Sequence, residues 1–166
     1  MRILAIDPGY ERLGIAILEK EKSGKEQLVY SETFKTPTKD EFVTRLFALG
    51  QRIEGVIGRY EPTALAIEKL FFNTNQKTAL QVSEARGVII YAAQKHGLAI
   101  SEYTPLQIKT AVAGYGRADK NQVINMVTKL INIPETGDDG KKIKRHDDEY
   151  DAIGCGLTYF AVNPNR

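Results

Sequence analysis

Two acidic residues stand at the ends of short apolar segments that have the pattern of buried strands. Asp7 closes RILAID and is followed by Pro8-Gly9, and Glu68 closes ALAIE. An ionised carboxylate in such a position is costly to bury unless it is paired or binds a cation. Taken singly, each acid is equally explained by contact with solvent or by capping of a neighbouring helix. If the two strands are parallel neighbours, both carboxylates emerge at one edge of the sheet, where ligands of α/β proteins usually bind.

A third group of acids lies in DEYD, at the head of the last predicted helix. Asp148 and Asp151 have i,i+3 spacing and therefore share one helix face. The helix dipole alone also favours acids in a first turn, and the neighbouring His146 and Asp147 leave the assignment open. The sharper hypothesis is one cluster of four carboxylates, made of Asp7, Glu68, Asp148 and Asp151.

Carboxylate oxygens are the ligands that suit Mg²⁺ or Mn²⁺. Two such ions about 3.5–4 Å apart can activate water and stabilise the leaving oxygen when a phosphodiester bond is cleaved. Because a bound ion lowers the pKa of its water, this chemistry requires no histidine base. The four acids are therefore predicted to be both the catalytic and the metal-binding residues of a phosphodiesterase site.

The elements that must position these acids follow from the hydrophobic pattern. RILAID, LGIAIL and QLVYSETF predict a three-stranded antiparallel meander. A helix follows with Asp40 as its candidate cap, and the later strands ALAI and AISEY are separated by a helix over residues 76–96. Three helices complete the chain, the last from about Asp147 to Val162. Helical crossovers imply parallel pairing, so we predict a single α/β domain over residues 1–166, with a mixed five-stranded sheet and helices on both faces.

Composition limits the class of protein. The chain has 166 residues, 42% of them hydrophobic and 27% charged, which suits one globular domain and excludes a disordered or collagen-like chain. Its one cysteine, Cys155, excludes an internal disulfide. We expect a cytoplasmic protein without a membrane partner, because no apolar run approaches ~20 residues and MRILAID lacks the pattern of a signal peptide. The net charge of only +2 argues against a nucleic-acid partner unless opposite charges are sorted by position.

Four segments together resemble RuvC-type Holliday junction resolvases. They are IDPGYERLGIAI, AIEKLFFNTNQKTALQVSEARGVI, EYTPLQIKTAVAGYGRADKNQV and DEYDAIGCGLTYF, in this order. The resemblance implies an RNase H-like fold, a homodimer, and symmetric nicking of four-way DNA junctions with Mg²⁺ or Mn²⁺ during recombination and repair. By position it assigns Asp7, Glu68 and Asp151 as catalytic carboxylates. Asp148 matches the remaining acidic position, where some members carry His.

The resemblance also implies which residues contact DNA. Phe71 matches the family's aromatic residue that stacks on a base at the junction, and such stacking is worth ~1–3 kcal/mol. The alternative is that Phe72, or both rings, pack in the core. Basic family positions near the cleaved strand are matched by three residues whose charges would make binding salt-dependent. The predicted contacts are Phe71, Phe72, Asn73, Lys109, Tyr115, Arg117 and Lys120. Arg86 is left open between a dimer interface and DNA.

The charged residues 135–147, which include GDDGKKIKRH, have the pattern of an insertion before the last helix. A surface loop is the favoured interpretation. One alternative is that basic residues here face DNA, namely Lys141, Lys142, Lys144 and Arg145. Another is that His146 or Asp147 assists or replaces Asp148 at the metals.

A structure-specific endodeoxyribonuclease that resolves Holliday junctions is the leading hypothesis. A junction-binding protein without nuclease activity is the second, although the presence of all four acids argues against it. A third is an RNase H-like nuclease that processes RNA, because such proteins share an opening like IDPGYERLGIAI. An actin-like ATPase is disfavoured, since the chain is short for two domains. The sequence determines neither the cleavage preference nor a branch-migration motor partner.

Overall fold

The computed structural model describes residues 1–22, 24–70, 76–134 and 143–164. Within these ranges the chain forms five strands and five helices in the predicted order. They are β1 (Arg2–Asp7), β2 (Arg12–Glu19), β3 (Gln27–Lys35), α1 (Phe42–Tyr60), β4 (Ala64–Glu68), α2 (Gln76–Lys95), β5 (Ala99–Tyr103), α3 (Pro105–Ala113), α4 (Lys120–Leu130) and α5 (Asp147–Val162). Among the described residues, no helix is long and apolar enough to cross a bilayer.

The strands form one mixed sheet in the order β3-β2-β1-β4-β5. β1 with β2, and β2 with β3, pair antiparallel, as expected for strands joined by short turns. β1 with β4, and β4 with β5, are parallel, because α1 and α2 carry the chain back across the sheet between them. The predicted five-stranded sheet is therefore confirmed.

The two faces of this sheet carry side chains of different size, because successive residues of a strand point to opposite faces. The α1/α2 face presents large aliphatic side chains to helices α1 and α2, among them Leu4, Ile6, Ile15, Ile17, Leu65 and Ile67. The α5 face is covered by α3, α4 and α5, and it presents mainly small side chains near its centre, among them Ala5, Ala16, Ala64 and Ala66. Helices cover both faces, as predicted.

Helix α5 lies between the sheet and the pair α3 and α4, so residues 152–160 are all buried. Gly156 permits the close contact with the sheet. A Cβ at this position would lie 2.7 Å from Leu18 Cδ1 and 3.1 Å from the Cβ of Ala5. Small residues on the helix and on the strands thus let α5 approach β1 and β2 closely.

The predicted cap of the first helix is wrong. α1 begins at Phe42, and its N-cap position is held by Glu41, which makes no side-chain cap hydrogen bond. Asp40 instead belongs to a turn in which its N–H donates to the carbonyl oxygen of Pro37 at 3.2 Å. Asp40 therefore belongs to the turn after Pro37, one residue before the N-cap position of α1.

Candidate active site

Two strands bring the first pair of acids together. Asp7 is the last residue of β1 and Glu68 is the last residue of β4. The parallel register pairs Ile6 with Ile67 immediately before them. Both acids continue the alternation that directs alanines to the α5 face. The two carboxylates therefore leave the sheet side by side, towards the start of α5.

A pocket of about 280 Å³ forms where these strand ends meet α3, α4 and α5. Three predicted acids line it, namely Asp7, Glu68 and Asp151. Two predicted basic residues line it as well, Lys109 of α3 and Lys120 of α4. Its apolar wall consists of Pro105, Ile108 and Val123. The pocket thus gathers opposite charges at the carboxyl ends of two parallel strands.

The fourth predicted acid, Asp148, lies beside this pocket. Asp148 Oδ2 is 3.5 Å from Arg12 Nε, and the Asp148 side chain is 16% exposed. The charge of Asp148 is also one of the causes that raise the pKa of Asp7, after burial and the charges of Glu68 and Asp151. Arg12 therefore holds Asp148 at the rim of the acid cluster.

Gly14 of β2 explains how α5 comes so near to the strand acids. Its register partner on β1 is Asp7. A Cβ on Gly14 would lie 2.0 Å from the carbonyl oxygen of Asp148 and 3.1 Å from the Cβ of Asp7. The first of these contacts is to backbone, which cannot rotate away as a side chain can. Glycine at position 14 is thus required for the first turn of α5 to rest on β2 beside Asp7.

The clustered acids shift one another's pKa. Burial first, and then the charges of Glu68, Asp151 and Asp148, raise the pKa of Asp7 well above its usual range. Burial and the charge of Asp151 raise the pKa of Glu68 to about 7, although Lys109 opposes this. Burial also raises the pKa of Asp151, against the effect of Lys120. Shifts of this kind are typical of functional sites.

Lys120 joins the acids directly. Its Nζ lies 3.3 Å from Asp151 Oδ2 and 3.3 Å from Asp147 Oδ2. Burial opposes the charge on Lys120, but the two carboxylates outweigh burial and raise the pKa of this lysine. Asp119 and Gln122 form a capping box around the start of α4, which fixes Lys120 as its first residue. Asp147 therefore contacts the cluster through Lys120, and its own side chain is 62% exposed.

Arg86, whose role the sequence left open, binds groups of its own chain. Its Nε donates to the carbonyl oxygen of Glu68 at 3.2 Å, and its Nη2 pairs with Oε1 of Glu102 on β5. Lys69 Nζ lies 3.8 Å from the other carboxylate oxygen of Glu102. These contacts fix the end of β4, so Arg86 supports the strand end that carries Glu68.

The remaining predicted DNA contacts fall in two groups. Tyr115 and Arg117 are exposed in the connection between α3 and α4, and Tyr115 lines a second cavity of about 340 Å³ beside α4. Phe71, Phe72 and Asn73 lie outside the residues that the structure describes.

The part of the charged insertion over residues 135–142, with Lys141 and Lys142, also lies outside the described ranges. Lys144 is exposed. The Arg145 side chain is only 8% exposed and lies against Glu149, which contradicts the alternative that it faces DNA. His146 occupies the N-cap position of α5, and its Nε2 is 3.0 Å from Lys35 Nζ on β3. In this structure His146 therefore contacts β3.

The donor set fits a hard divalent cation by its chemistry. Asp7, Glu68, Asp148 and Asp151 offer carboxylate oxygens. Burial first, and then their mutual repulsion, raise the pKa of Asp7, and a bound cation offsets such an accumulation of negative charge. Asp148 Oδ2 is buried and has no hydrogen-bond partner among the described residues, although Arg12 Nε lies 3.5 Å away. In the described part of the chain, no three His, Cys, Asp or Glu side chains already converge as a cation site. The ion pairs with Lys120 and Arg12 compete with such convergence.

Cys155 lies on α5 near the strand acids and is fully buried. Burial first, and then the charges of Glu68 and Asp7, raise the pKa of this thiol well above its ordinary value. A buried, protonated thiol is a poor nucleophile and a poor metal ligand.

Sequence reasoning missed three contacts that shape the site: Arg12 on Asp148, Gly14 under α5, and the burial of Glu149, which is 6% exposed. A signal for Gly14 exists, because glycine inside an apolar strand often marks a close approach of another backbone. Arg12 carries no such signal, since Asp148 lies more than a hundred residues away in the chain, and the same holds for the contact of Glu149 with Ser31.

The strand order, with acids at the ends of β1 and β4 and on the facing helix α5, defines an RNase H-like nuclease fold. A family model described as "Crossover junction endodeoxyribonuclease RuvC" matches residues 3–158. A protein of that name from Halothermothrix orenii is 43% identical over 159 residues, which covers 96% of this chain and 92% of the relative. Another from Moorella thermoacetica is 41% identical over 166 residues, covering 100% of this chain and 95% of the relative.

Solved structures agree with the sequence relatives. The RuvC structure of Thermus thermophilus has a TM-score of 0.83 and 30% identity, covering 99% of this chain and 98% of that one. The same protein in complex with Holliday junction substrate has a TM-score of 0.85 and 30% identity, covering 98% of this chain and 94% of that one. The chain belongs to the RuvC family of crossover junction endodeoxyribonucleases. The family resemblance drawn from the sequence is confirmed.

Proposed function

We propose that this chain resolves four-way (Holliday) DNA junctions by metal-dependent nicking of two strands, in homologous recombination and DNA repair. The observation that carries the proposal is the single pocket in which Asp7, Glu68 and Asp151 meet Lys109 and Lys120. The likeness to the T. thermophilus RuvC that was solved with a Holliday junction substrate supports this choice of DNA substrate. Residues 1–166 act as one nuclease domain.

Four carboxylates, those of Asp7, Glu68, Asp148 and Asp151, hold two Mg²⁺ ions in this proposal, and Mn²⁺ substitutes for Mg²⁺. When bound, Mg²⁺ supplies Lewis-acid activation of water and charge neutralisation at the leaving oxygen. Asp7 and Glu68 are the fixed half of the ligand set, because the β1–β4 register sets their separation. The first turn of α5 supplies Asp148, and Asp151 follows in the next turn on the same helix face, where it would exchange its contact with Lys120 for a bound cation.

Lys109 and Lys120 bind and orient the scissile phosphate in this proposal. Both line the acid pocket, so they place positive charge where an anionic backbone must approach a negative site. Tyr115 and Arg117, exposed beside α4, extend this surface along the bound strand. Phe71, Phe72 and Asn73 stay predicted contacts at the junction opening. Replacing Arg117 by Ala should weaken junction binding and reduce the slope of log K against log[salt] by about 1.

A homodimer is the proposed working unit, because symmetric resolution requires two cuts and the described part of one chain forms one such acid pocket. Exposed apolar side chains on α1 and α2 support self-association: Val43 is 73% exposed, Phe47 66%, Leu80 68% and Tyr91 69%. Sedimentation should show a dimer, and Phe47→Glu should shift it towards the monomer with loss of paired cuts. A cytoplasmic location stays a prediction from the sequence, which leaves a branch-migration motor complex open as a further partner.

The central experiment incubates the purified chain with a synthetic four-way junction, each strand labelled in turn, and Mg²⁺ or Mn²⁺. We expect paired nicks at symmetric positions that leave 5′-phosphates, and no cleavage of the matching linear duplex. Asp7→Asn and Glu68→Gln should abolish nicking. Glu21→Gln, which neutralises an exposed acid in the β2–β3 turn, is the matched control and should cut normally.

Several results would overturn the proposal. Tight junction binding without cleavage under either metal would indicate a binding protein. Preferential cleavage of RNA in a competition with the junction would indicate a nuclease that processes RNA. Undiminished nicking by Asp7→Asn would show that the acid pocket is not the active site.

A further inference from the structure

The first turn of α5 carries one buried acid, Glu149, that does not line the pocket. Glu149 lies between Asp148 and Asp151 in sequence, but it is 6% exposed and its carboxylate contacts β3. Its neighbour Asp147 contrasts with it, since the Asp147 side chain is 62% exposed. A buried carboxylate is costly unless it is paired and hydrogen-bonded, so the partners of Glu149 need an explanation.

Both carboxylate oxygens of Glu149 are engaged. Ser31 Oγ, on β3, donates to Oε2 at 2.8 Å, and Arg145 Nε lies 3.6 Å from the same oxygen. The N–H of His146 donates to Oε1 at 3.3 Å. The Arg145 and Glu149 side chains are each only 8% exposed. Glu149 therefore connects the start of α5 to β3 through Ser31, and to the backbone just before the helix through His146.

Arg145 extends this connection beyond the helix. Its Nη1 donates to the carbonyl oxygen of Pro134 at 2.6 Å, and its Nε lies 3.4 Å from Ser31 Oγ. One guanidinium group thus links Pro134, which follows α4, with β3 and with α5. We call Ser31, Arg145 and Glu149 the α5 anchor.

The α5 anchor lies at the start of α5, where the helix buries few apolar side chains against the rest of the protein. The continuous buried stretch of α5 begins at residue 152, after both Asp148 and Asp151. On the side of β2 the first turn rests on Gly14, which offers contact but no side chain. Because a helix is stiff, rotation of Glu149 about the helix axis would carry Asp148 and Asp151 with it.

We propose that the α5 anchor positions Asp148 and Asp151 for cation binding. None of its three members lines the acid pocket, so they are positioning residues and do not touch the reacting groups. The inference rests on the proposed function, in which Asp148 and Asp151 are metal ligands.

The test measures Mn²⁺ binding to the metal-free protein without DNA, by calorimetry and by the electron paramagnetic resonance of free Mn²⁺. Glu149→Gln keeps the size of the side chain but removes its charge and replaces one of its two acceptor oxygens with an amide donor. Ser31→Ala removes the hydroxyl that donates to Glu149 and accepts from Arg145. We expect each to weaken Mn²⁺ binding by about 10-fold or more, as for groups that support metal ligands. Junction cleavage should need correspondingly more Mn²⁺ and recover most of its maximal rate when the metal is saturating.

The matched control breaks an ion pair on the same strand but on the other face of the sheet. Glu32 of β3 pairs with Arg52 of α1, with side chains 22% and 37% exposed. Glu32→Gln should lower the unfolding temperature without changing the Mn²⁺ midpoint. If the α5 anchor had only a structural role, Glu149→Gln and Ser31→Ala would likewise lower the unfolding temperature and leave the Mn²⁺ midpoint unchanged.

The outcomes separate this inference from the proposed function. If Asp151→Asn weakens Mn²⁺ binding while Glu149→Gln and Ser31→Ala leave it within twofold of wild type, the anchor proposal is overturned and the ligand set stands. If Asp151→Asn also leaves the midpoint unchanged, the ligand set is wrong and the anchor proposal falls with it. A weakening as large in Glu32→Gln as in Glu149→Gln would indicate a general loss of structure and would also overturn the proposal.

Discussion

The two faces of the sheet are built from different side chains for different purposes. The α1/α2 face packs leucine and isoleucine from the strands against helices that bear Leu49, Ile53 and Ile89. The α5 face replaces most of that bulk with alanine and glycine, and the large side chains are supplied by the helix, as in Tyr159 and Phe160. Burial of one large aliphatic side chain contributes ~1.5–3 kcal/mol, so the α1/α2 face is well suited to provide stability.

The difference between the faces shows what the site requires. Carboxylates from two strands and from a helix can share a pocket only if the helix backbone comes within contact distance of the strands. Large side chains would hold α5 away from Asp7 and Glu68, whereas Ala5 and Gly14 let it approach. The strands therefore carry small side chains on the α5 face, which reduces apolar packing there but lets the carboxylates of the strands and of α5 lie close together. Three variants and one pH series should separate these purposes.

Asp7→Asn removes a buried acid from the end of β1 on the α5 face. We expect junction cleavage to fall by more than about 100-fold, beyond the loss that groups behind metal ligands usually cause. The unfolding temperature without metal should hold or rise, because the raised pKa of Asp7 means that its ionised form opposes folding. Cleavage assays and thermal melts in metal-free buffer measure the two effects. If Asp7→Asn lowered both the cleavage rate and the unfolding temperature, the α5 face would be needed for stability as well as for the site, which contradicts the separation of purposes proposed here.

Gly14→Ala tests the close approach itself. The added Cβ must displace the carbonyl oxygen of Asp148, so we expect cleavage and Mn²⁺ affinity to fall about 10- to 100-fold, with a stability loss of ~1–3 kcal/mol. Gly55→Ala on α1 is the control, since nothing lies within 4 Å of a Cβ there, and it should stabilise the helix by ~0.5–1 kcal/mol. Wild-type Mn²⁺ affinity in Gly14→Ala would show that the approach is not needed.

Glu68 makes the metal-free protein sensitive to pH. Its pKa is raised from the ordinary 4.5 to about 7, so between these values the folded state binds more protons than the unfolded state. Stability should therefore fall as pH rises through this window, by at most about 1.4 kcal/mol per pH unit from this carboxyl, while Mn²⁺ affinity rises. Urea unfolding at several pH values in metal-free buffer measures the slope. An unchanged slope in Glu68→Gln would assign the effect to other groups.

Leu65→Ala removes bulk from the α1/α2 face, next to β1 but pointing away from the site. Leu65 is fully buried, so the variant should lose ~2–5 kcal/mol of unfolding free energy. Below its melting transition the cleavage rate should stay within about twofold of wild type. A large loss of rate in a demonstrably folded variant would mean that the two faces are coupled more tightly than their packing indicates.

Local pattern predicted much of this architecture because strand alternation and acid position are properties of short segments. Asp7 and Glu68 come at strand ends, and the crossover helices determine that these ends meet. The pattern did not predict Arg12 with Asp148, Arg86 with Glu68, or Ser31 with Glu149, because each contact joins elements that only the folded sheet brings together. Asp148 is an example of what local pattern leaves out. Its i,i+3 spacing places it on the same helix face as Asp151, but its ion pair with Arg12, which the pattern did not predict, holds its carboxylate in place.

The single thiol of the chain has a practical consequence for labelling. Cys155 is fully enclosed beneath the site, and its raised pKa leaves little thiolate for reaction with maleimides or iodoacetamides in the native state. A cysteine introduced at an exposed position such as Tyr115 or Lys129 should therefore be the one group modified, so a dye or spin label can be attached without deleting the native residue. Slow reaction of Cys155 would in turn report the lifting of α5 from the sheet.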